Sequence, residues 1–85
     1  MHHFDPKFKI FIEVIASTNG ISAMLLQGTE EERHVVSVSS RTTSQVEARY
    51  AQIDLESLAV DYALRRFRYY IARGQRVTIV TDHKP

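Results

Sequence analysis

At 85 residues, with 44% hydrophobic and 25% charged positions, the chain has the composition of one globular domain or part of one. A net charge of +1 creates no global field of the kind that marks a nucleic-acid binder. The absence of cysteine excludes disulfides and thiolate metal sites, and no apolar run approaches the roughly 20 residues of a membrane span.

The opening Met1-His2-His3-Phe4-Asp5-Pro6 lacks the apolar stretch of a signal peptide, so an intracellular protein, in cytoplasm or nucleus, is the expectation. Two histidines are too few for a tag. Residues 8–16 alternate with period two and are rich in β-branched and aromatic side chains, which predicts a strand. Asn19-Gly20 is a strong hairpin signal, because both positions tolerate positive φ. A second, antiparallel strand follows over Ile21–Gln27. Gly28 to Glu32 reads as a polar turn, with Glu30-Glu31-Glu32 solvated, and Arg33–Ser40 as a third strand.

Ser44-Gln45-Val46-Glu47 has the spacing of a capping box, in which the serine hydroxyl and the glutamate carboxylate each accept from the other's backbone N–H. Good helix formers continue to Ala72, with a break near Tyr50. Arg73-Gly74 supplies a cation and a left-handed cap. Arg76–Asp82 is a fourth strand, left by His83-Lys84-Pro85. The order is β-β-β-α-β. The right-handed crossover rule sets strand four parallel to strand one. The helix start and the C-terminal ends of strands one and four then share one edge of the sheet, where ligands bind in open α/β sheets.

On a wheel of about 100° per residue, Ile53, Val60, Leu64, Phe67 and Ile71 cluster, with Ala59, Ala63 and Tyr70 extending the arc. Asp54, Ser57, Asp61, Arg65 and Arg68 lie opposite. Glu56 falls between Ala63 and Phe67, inside the apolar arc, where a carboxylate is costly unless paired or metal-bound. A salt bridge, for example to Arg66, or a side chain that snorkels out near the helix start, is one reading. The other is a site: Asp82 ends strand four at the same edge, and two converging carboxylates suit hard divalent cations and two-metal phosphodiester hydrolysis. Asp82 alone reads as a turn initiator. The strand-one position that would complete such a site is Ile15, which cannot bind metal. Glu13 shares its face but stands two residues away, about 6–7 Å.

Several segments carry a family resemblance. They are Phe4-Asp5-Pro6; Ala16-Ser17, Gly20, Ala23 and Leu25-Leu26-Gln27; Ser40-Arg41, Glu47 and Tyr50; Glu56-Ser57-Leu58-Ala59-Val60, Ala63-Leu64 and Phe67-Arg68; and Thr81-Asp82-His83-Lys84-Pro85. In this order they resemble the ribonuclease H-like domain that follows the polymerase in reverse transcriptases of gypsy-like long-terminal-repeat retroelements. The resemblance implies an α/β ribonuclease H-like fold over residues 1–85, a mixed sheet with one long helix, truncated after the fourth strand. It also implies Mg2+-dependent hydrolysis of RNA in RNA–DNA hybrids, within a pol polyprotein. The family's metal-binding acids fall on Ile15, Glu56 and Asp82, because Val14-Ile15-Ala16-Ser17 stands where the family has threonine-aspartate-alanine-serine. A further acid or histidine of the family would fall beyond Pro85. The expectation is a fragment or decayed copy, inactive by itself. The alternative is a degenerate structural or interaction module of a domesticated retroelement-derived protein. Exposed apolar surface left by the missing elements would favour a homodimer.

The remaining residues are expected to be ordinary. His2, His3, His34 and His83 have no shared ligand spacing. His83 could touch a substrate phosphate, but a turn role is simpler. Arg65, Arg66, Arg68, Arg73 and Arg76, with Tyr69 and Tyr70, could meet a nucleic-acid backbone, although the helix stripe already explains Tyr70 and a solvated face is the simpler account of the arginines.

Overall fold

In a computed structural model, residues 4, 5, 7–71 and 76–81 are described. Four strands make one sheet in the order β3-β2-β1-β4: β1 Lys9–Ala16, β2 Gly20–Gly28, β3 Arg33–Thr42 and β4 Val77–Thr81. β1 pairs antiparallel with β2, and β2 with β3, while β4 lies parallel to β1, with Val14 opposite Thr81. The β-β-β-α-β order and the parallel return are as the patterning predicts.

The first hairpin turns one residue earlier than expected. The Ser17 N–H donates to the Gly20 carbonyl at 2.9 Å, so Thr18-Asn19 is the loop and Gly20 opens β2. Gly20 takes no positive φ; Gly28 alone does so among the described glycines. Gly20 instead allows close approach, since a β-carbon there would stand 3.0 Å from the Arg41 carbonyl oxygen. At Gly28 (φ 142°) a β-carbon would overlap the Glu32 carbonyl, which makes this position specific to glycine. The Glu30–Glu32 turn is exposed as expected.

The long predicted helix is three pieces. Ser44 and Glu47 form the capping box: the Glu47 N–H donates to Ser44 Oγ at 3.1 Å and the Ser44 N–H to Glu47 Oε1 at 2.8 Å. That box starts only a 3₁₀ turn, Glu47–Arg49. Tyr50 (ψ 151°) and Ala51 (ψ 156°) are extended and re-aim the chain. α1 then runs Gln52–Arg66, with no side-chain hydrogen bond at its N-cap. A break at Phe67 precedes α2, Arg68–Ile71. The expected glycine cap at Gly74 lies outside the described residues.

α1 covers one face of the sheet. Ile10, Ile12 and Val14 of β1, Ile21, Ala23 and Leu25 of β2, and Val36 of β3 meet Ala59, Ala63 and Phe67 in one core. The buried line of the helix is Leu55, Ala59 and Ala63, not the Ile53–Val60–Leu64 line that the wheel favours. Ile53 is 71% exposed and Leu64 38%. The reason is steric. Two alanines let the helix backbone sit close to the sheet, and the bulkier residues then fall on the flank. The opposite flank is tied to β3, where the hydroxyls of Tyr62 and Ser39 share a hydrogen bond and Arg66 Nε donates to Ser39 Oγ at 3.1 Å.

Candidate active-site edge

The expected edge exists. Gln52 Nε2 donates to the Ala16 carbonyl at 3.3 Å, which fixes the first turn of α1 at the end of β1. β4 ends at the same level, beside Val14. Glu56 lies one turn beyond Gln52 on the same helix face, because residues four apart are stacked along a helix.

Glu56 is not in the middle of a buried face. It is half-buried, at the border between the Leu55–Ala59–Ala63 line and the exposed flank. It lines an open groove of about 430 Å³ with Ile53, Ser57, Val60, Asp61 and Leu64. Ile15 is 49% exposed. It belongs to the outer sheet face, since the alternate positions Ile12 and Val14 face the helix. Ile15 and Glu13 share a separate cavity of about 220 Å³ with Val80 and Thr81. Glu13 Oε1 is 3.8 Å from Arg33 Nη1, and the Arg33 guanidinium lies 4.0 Å above the Phe11 ring. Asp82 and His83 lie outside the described residues. Among the described residues no three His, Cys, Asp or Glu side chains are grouped to hold a metal ion.

Of the other predicted contacts, Arg65 is engaged by Asp61 at 3.0 Å on the exposed side of α1, and Arg68 stacks 5.2 Å from the ring of Tyr69. Tyr70 packs edge-on against Phe4 at 4.9 Å, so it is a packing residue. His34 sits edge-on to Phe8 at 6.4 Å. Arg73, His2 and His3 lie outside the described residues, while Arg76 is exposed beside β4.

Two polar features escaped the sequence reading. The first is Gln27, fully buried, whose amide holds the backbone of Asp5. Its signal was present: Ile21, Ala23, Leu25 and Gln27 alternate on the core face, and the last is polar. The second is a two-pronged ion pair. Arg41 Nη1 and Nη2 donate to the two oxygens of Glu47 at 2.8 and 2.9 Å. This pair, with the Ser44 N–H, pulls the Glu47 carboxyl from its ordinary 4.5 to about 2 and raises Arg41. A depressed carboxyl contributes stability above its unfolded value and loses it as pH falls toward its folded value. The melting temperature should therefore fall from about pH 4.5 toward pH 2, and Glu47→Gln should flatten part of that fall. Acid titrations of the two proteins that superimpose would contradict this assignment.

Four strands in the order β3-β2-β1-β4, with one long helix laid over β1 and β2, define a ribonuclease H-like α/β domain. The solved structure of a foamy viral protease-reverse transcriptase in complex with RNA/DNA hybrid shares this fold. Its TM-score is 0.70 at 12% identity, covering 95% of this chain and 11% of that one. Residues 5–85 match the model for the RNase H-like domain found in reverse transcriptase, and the chain belongs to that family. It is similar to the retrovirus-related Pol polyprotein from transposon gypsy of Drosophila melanogaster, 36% identical over 70 residues, covering 82% of this chain and 6% of that protein. The Pol polyprotein from transposon 297 of the same fly is 34% identical over 82 residues, 96% of this chain and 7% of the relative. The transposon Tf2-3 polyprotein of Schizosaccharomyces pombe is 30% identical over 86 residues, 99% of this chain and 6% of the relative. The chain thus spans a small part of each of these polyproteins.

Proposed function

We propose that this chain is the scaffold of a retroelement ribonuclease H-like domain that has lost the hydrolytic step and persists as a structural or hybrid-contacting module. The observation that carries this reading is Ile15. A hydrocarbon ends β1 at the position where the family resemblance puts the first metal-binding acid. The chemistry implied for the family is cleavage of RNA in RNA–DNA hybrids. There Mg2+ would activate water and stabilise the leaving oxygen, and it needs several oxygen ligands to do so.

The described residues do not fit such a centre. Glu13 is the one carboxylate in the cavity at Ile15, and it faces Arg33. Glu56 lines a different groove. Exposed Arg66 and Arg68, with exposed Tyr69, would supply phosphate contacts. A net charge of +1 would keep such contacts weak and salt-sensitive. In this reading the module works inside the cell as part of a pol polyprotein.

The test is a labelled RNA–DNA hybrid incubated with the chain and Mg2+. No cleavage above buffer is expected, and no rise in melting temperature with Mg2+. Ile15→Asp is expected to stay silent too, since an acid there faces the cavity with Glu13 and Val80 rather than Glu56. Mg2+-dependent cleavage by the unmodified chain, abolished in Glu56→Gln, would overturn the reading.

A further inference from the structure

Of the four arginines on β3 and α1, three are spent on carboxylates. Arg33 faces Glu13, Arg41 grips Glu47 and Arg65 meets Asp61. Arg66 differs. Its Nε donates to Ser39 Oγ at 3.1 Å across the gap between α1 and β3. Among the described residues no carboxylate pairs with it, and its two terminal nitrogens have no acceptor. The guanidinium is therefore braced at one corner and unspent at the other two.

The brace carries a further donor. The hydroxyls of Ser39 and Tyr62 share one hydrogen bond. Two hydroxyls bring two protons, and that bond uses one of them. Ser39 Oγ also accepts the Arg66 Nε–H. One hydroxyl proton and the N–H groups of the two terminal nitrogens remain, close together and without an acceptor among the described residues. A cluster that only donates takes an anion. A carboxylate is planar and is satisfied by the guanidinium fork alone, whereas a fork beside a rotatable hydroxyl suits a tetrahedral phosphate. We infer that Arg66, Ser39 and Tyr62 form a seat for one backbone phosphate of a bound nucleic acid. The inference rests on the hybrid-contacting reading above and says where that contact falls.

Physical chemistry favours this seat over its neighbours. A phosphate at Arg41 or Arg65 would first have to displace Glu47 or Asp61. An unbraced arginine loses rotamer freedom on binding, while Arg66 has already given up part of that freedom to Ser39, so less is lost. The seat is also accessible: Ser39 and Tyr62 are half-buried and Arg66 is exposed. It stands on the β3 side of α1, separated from β4 by β2 and β1. None of its residues lines the Glu56 groove or the cavity at Ile15. It is therefore a contact away from the edge where the family's metal chemistry would fall.

The test measures binding of a short labelled RNA–DNA hybrid by fluorescence anisotropy, at low salt and in EDTA so that no cleavage competes. Arg66→Gln should weaken binding about tenfold, as loss of a charge-assisted hydrogen bond does. It should also reduce the slope of log affinity against log salt by about 1. Arg65→Gln removes the same charge one residue away and should change affinity at most about twofold, because that charge is already paired on an exposed face. Ser39→Ala leaves the net charge alone but removes the brace, and should weaken binding about threefold. A network that only ties the helix to the sheet would instead lower the melting temperature in Arg66→Gln and leave its affinity equal to that of Arg65→Gln. Hybrid binding with equal affinities for those two variants would overturn the seat while the hybrid-contacting reading stands. No binding by the unmodified chain would overturn both. A readout that needs no variant is the Arg66 Nε–H resonance of the unmodified chain, which should shift on adding hybrid; a resonance unmoved at saturation would also overturn the seat.

Discussion

Phe67→Ala should cost the fold about 3–5 kcal/mol, the usual range for truncating a buried phenylalanine. Phe67 is 2% exposed and closes α1, where its N–H donates to the Ala63 carbonyl at 2.9 Å. Its ring belongs to the core shared with β1 and β2, and meets Tyr70 edge-on at 6.5 Å. Tyr70 in turn holds Phe4. One ring therefore joins the helix end, α2 and the N-terminal segment. At about 0.05–0.15 kcal/mol per residue, the whole chain has only about 4–13 kcal/mol of stability. A loss of even 3 kcal/mol would lower the melting temperature by at least about 12 °C in a domain of this size. Urea unfolding measures the effect, and a loss below about 1 kcal/mol would show that Phe67 does not anchor the core.

The second large effect is expected at Gln27. Its Oε1 accepts the Asp5 N–H at 2.7 Å, and its Nε2 donates to the Asp5 carbonyl at 2.7 Å and the Phe8 carbonyl at 3.3 Å. The side chain thus behaves like one rung of an extra strand. Leucine has similar bulk but can make none of these bonds. At about 0.5–1.5 kcal/mol net per hydrogen bond, Gln27→Leu should cost roughly 1.5–4.5 kcal/mol and speed hydrogen exchange at the Asp5 amide. Gln27→Glu should cost more. It keeps an acceptor, loses both donors and brings a charge into a fully buried position. If the leucine variant matched the parent in stability and exchange, the clasp would be incidental.

These two residues also show what the sequence made legible. The meander, the parallel return of β4 and the shared edge followed from period-two stretches and the crossover rule, which depend on chain geometry alone. The family was legible because its short motifs kept their order along the chain. The inner face of α1 was legible only in part: the arc held Ala59, Ala63 and Phe67, which are buried, but left out Leu55 and took in Ile53 and Leu64, which are exposed. A wheel weighted by bulk selects Ile53, Val60 and Leu64, whereas Ala59 and Ala63 face the sheet because they are small enough for close approach. That misplacement carried Glu56 with it, from a supposed buried centre to a half-buried border. Gly20 was read as a turn residue because Asn-Gly favours positive φ, yet it serves backbone proximity to Arg41. Of the proposed site, the shared edge and the hydrocarbon at position 15 were visible in advance. The separation of the two grooves depends on side-chain direction, which spacing alone does not give.

The exposure of Ile15 has a genetic meaning. Its side chain stands outside the core, and its backbone pairs with Ser22 through groups that every residue but proline possesses. Folding therefore exerts little selection on which residue occupies position 15. One and three residues away, Val14 and Ile12 are fixed by packing. Once a lineage no longer needs chemistry at this edge, substitutions at 15 accumulate by neutral drift while the scaffold around them is still purged of change. In the proposed reading, a metal-binding position held outside the core is thus among the first to be lost.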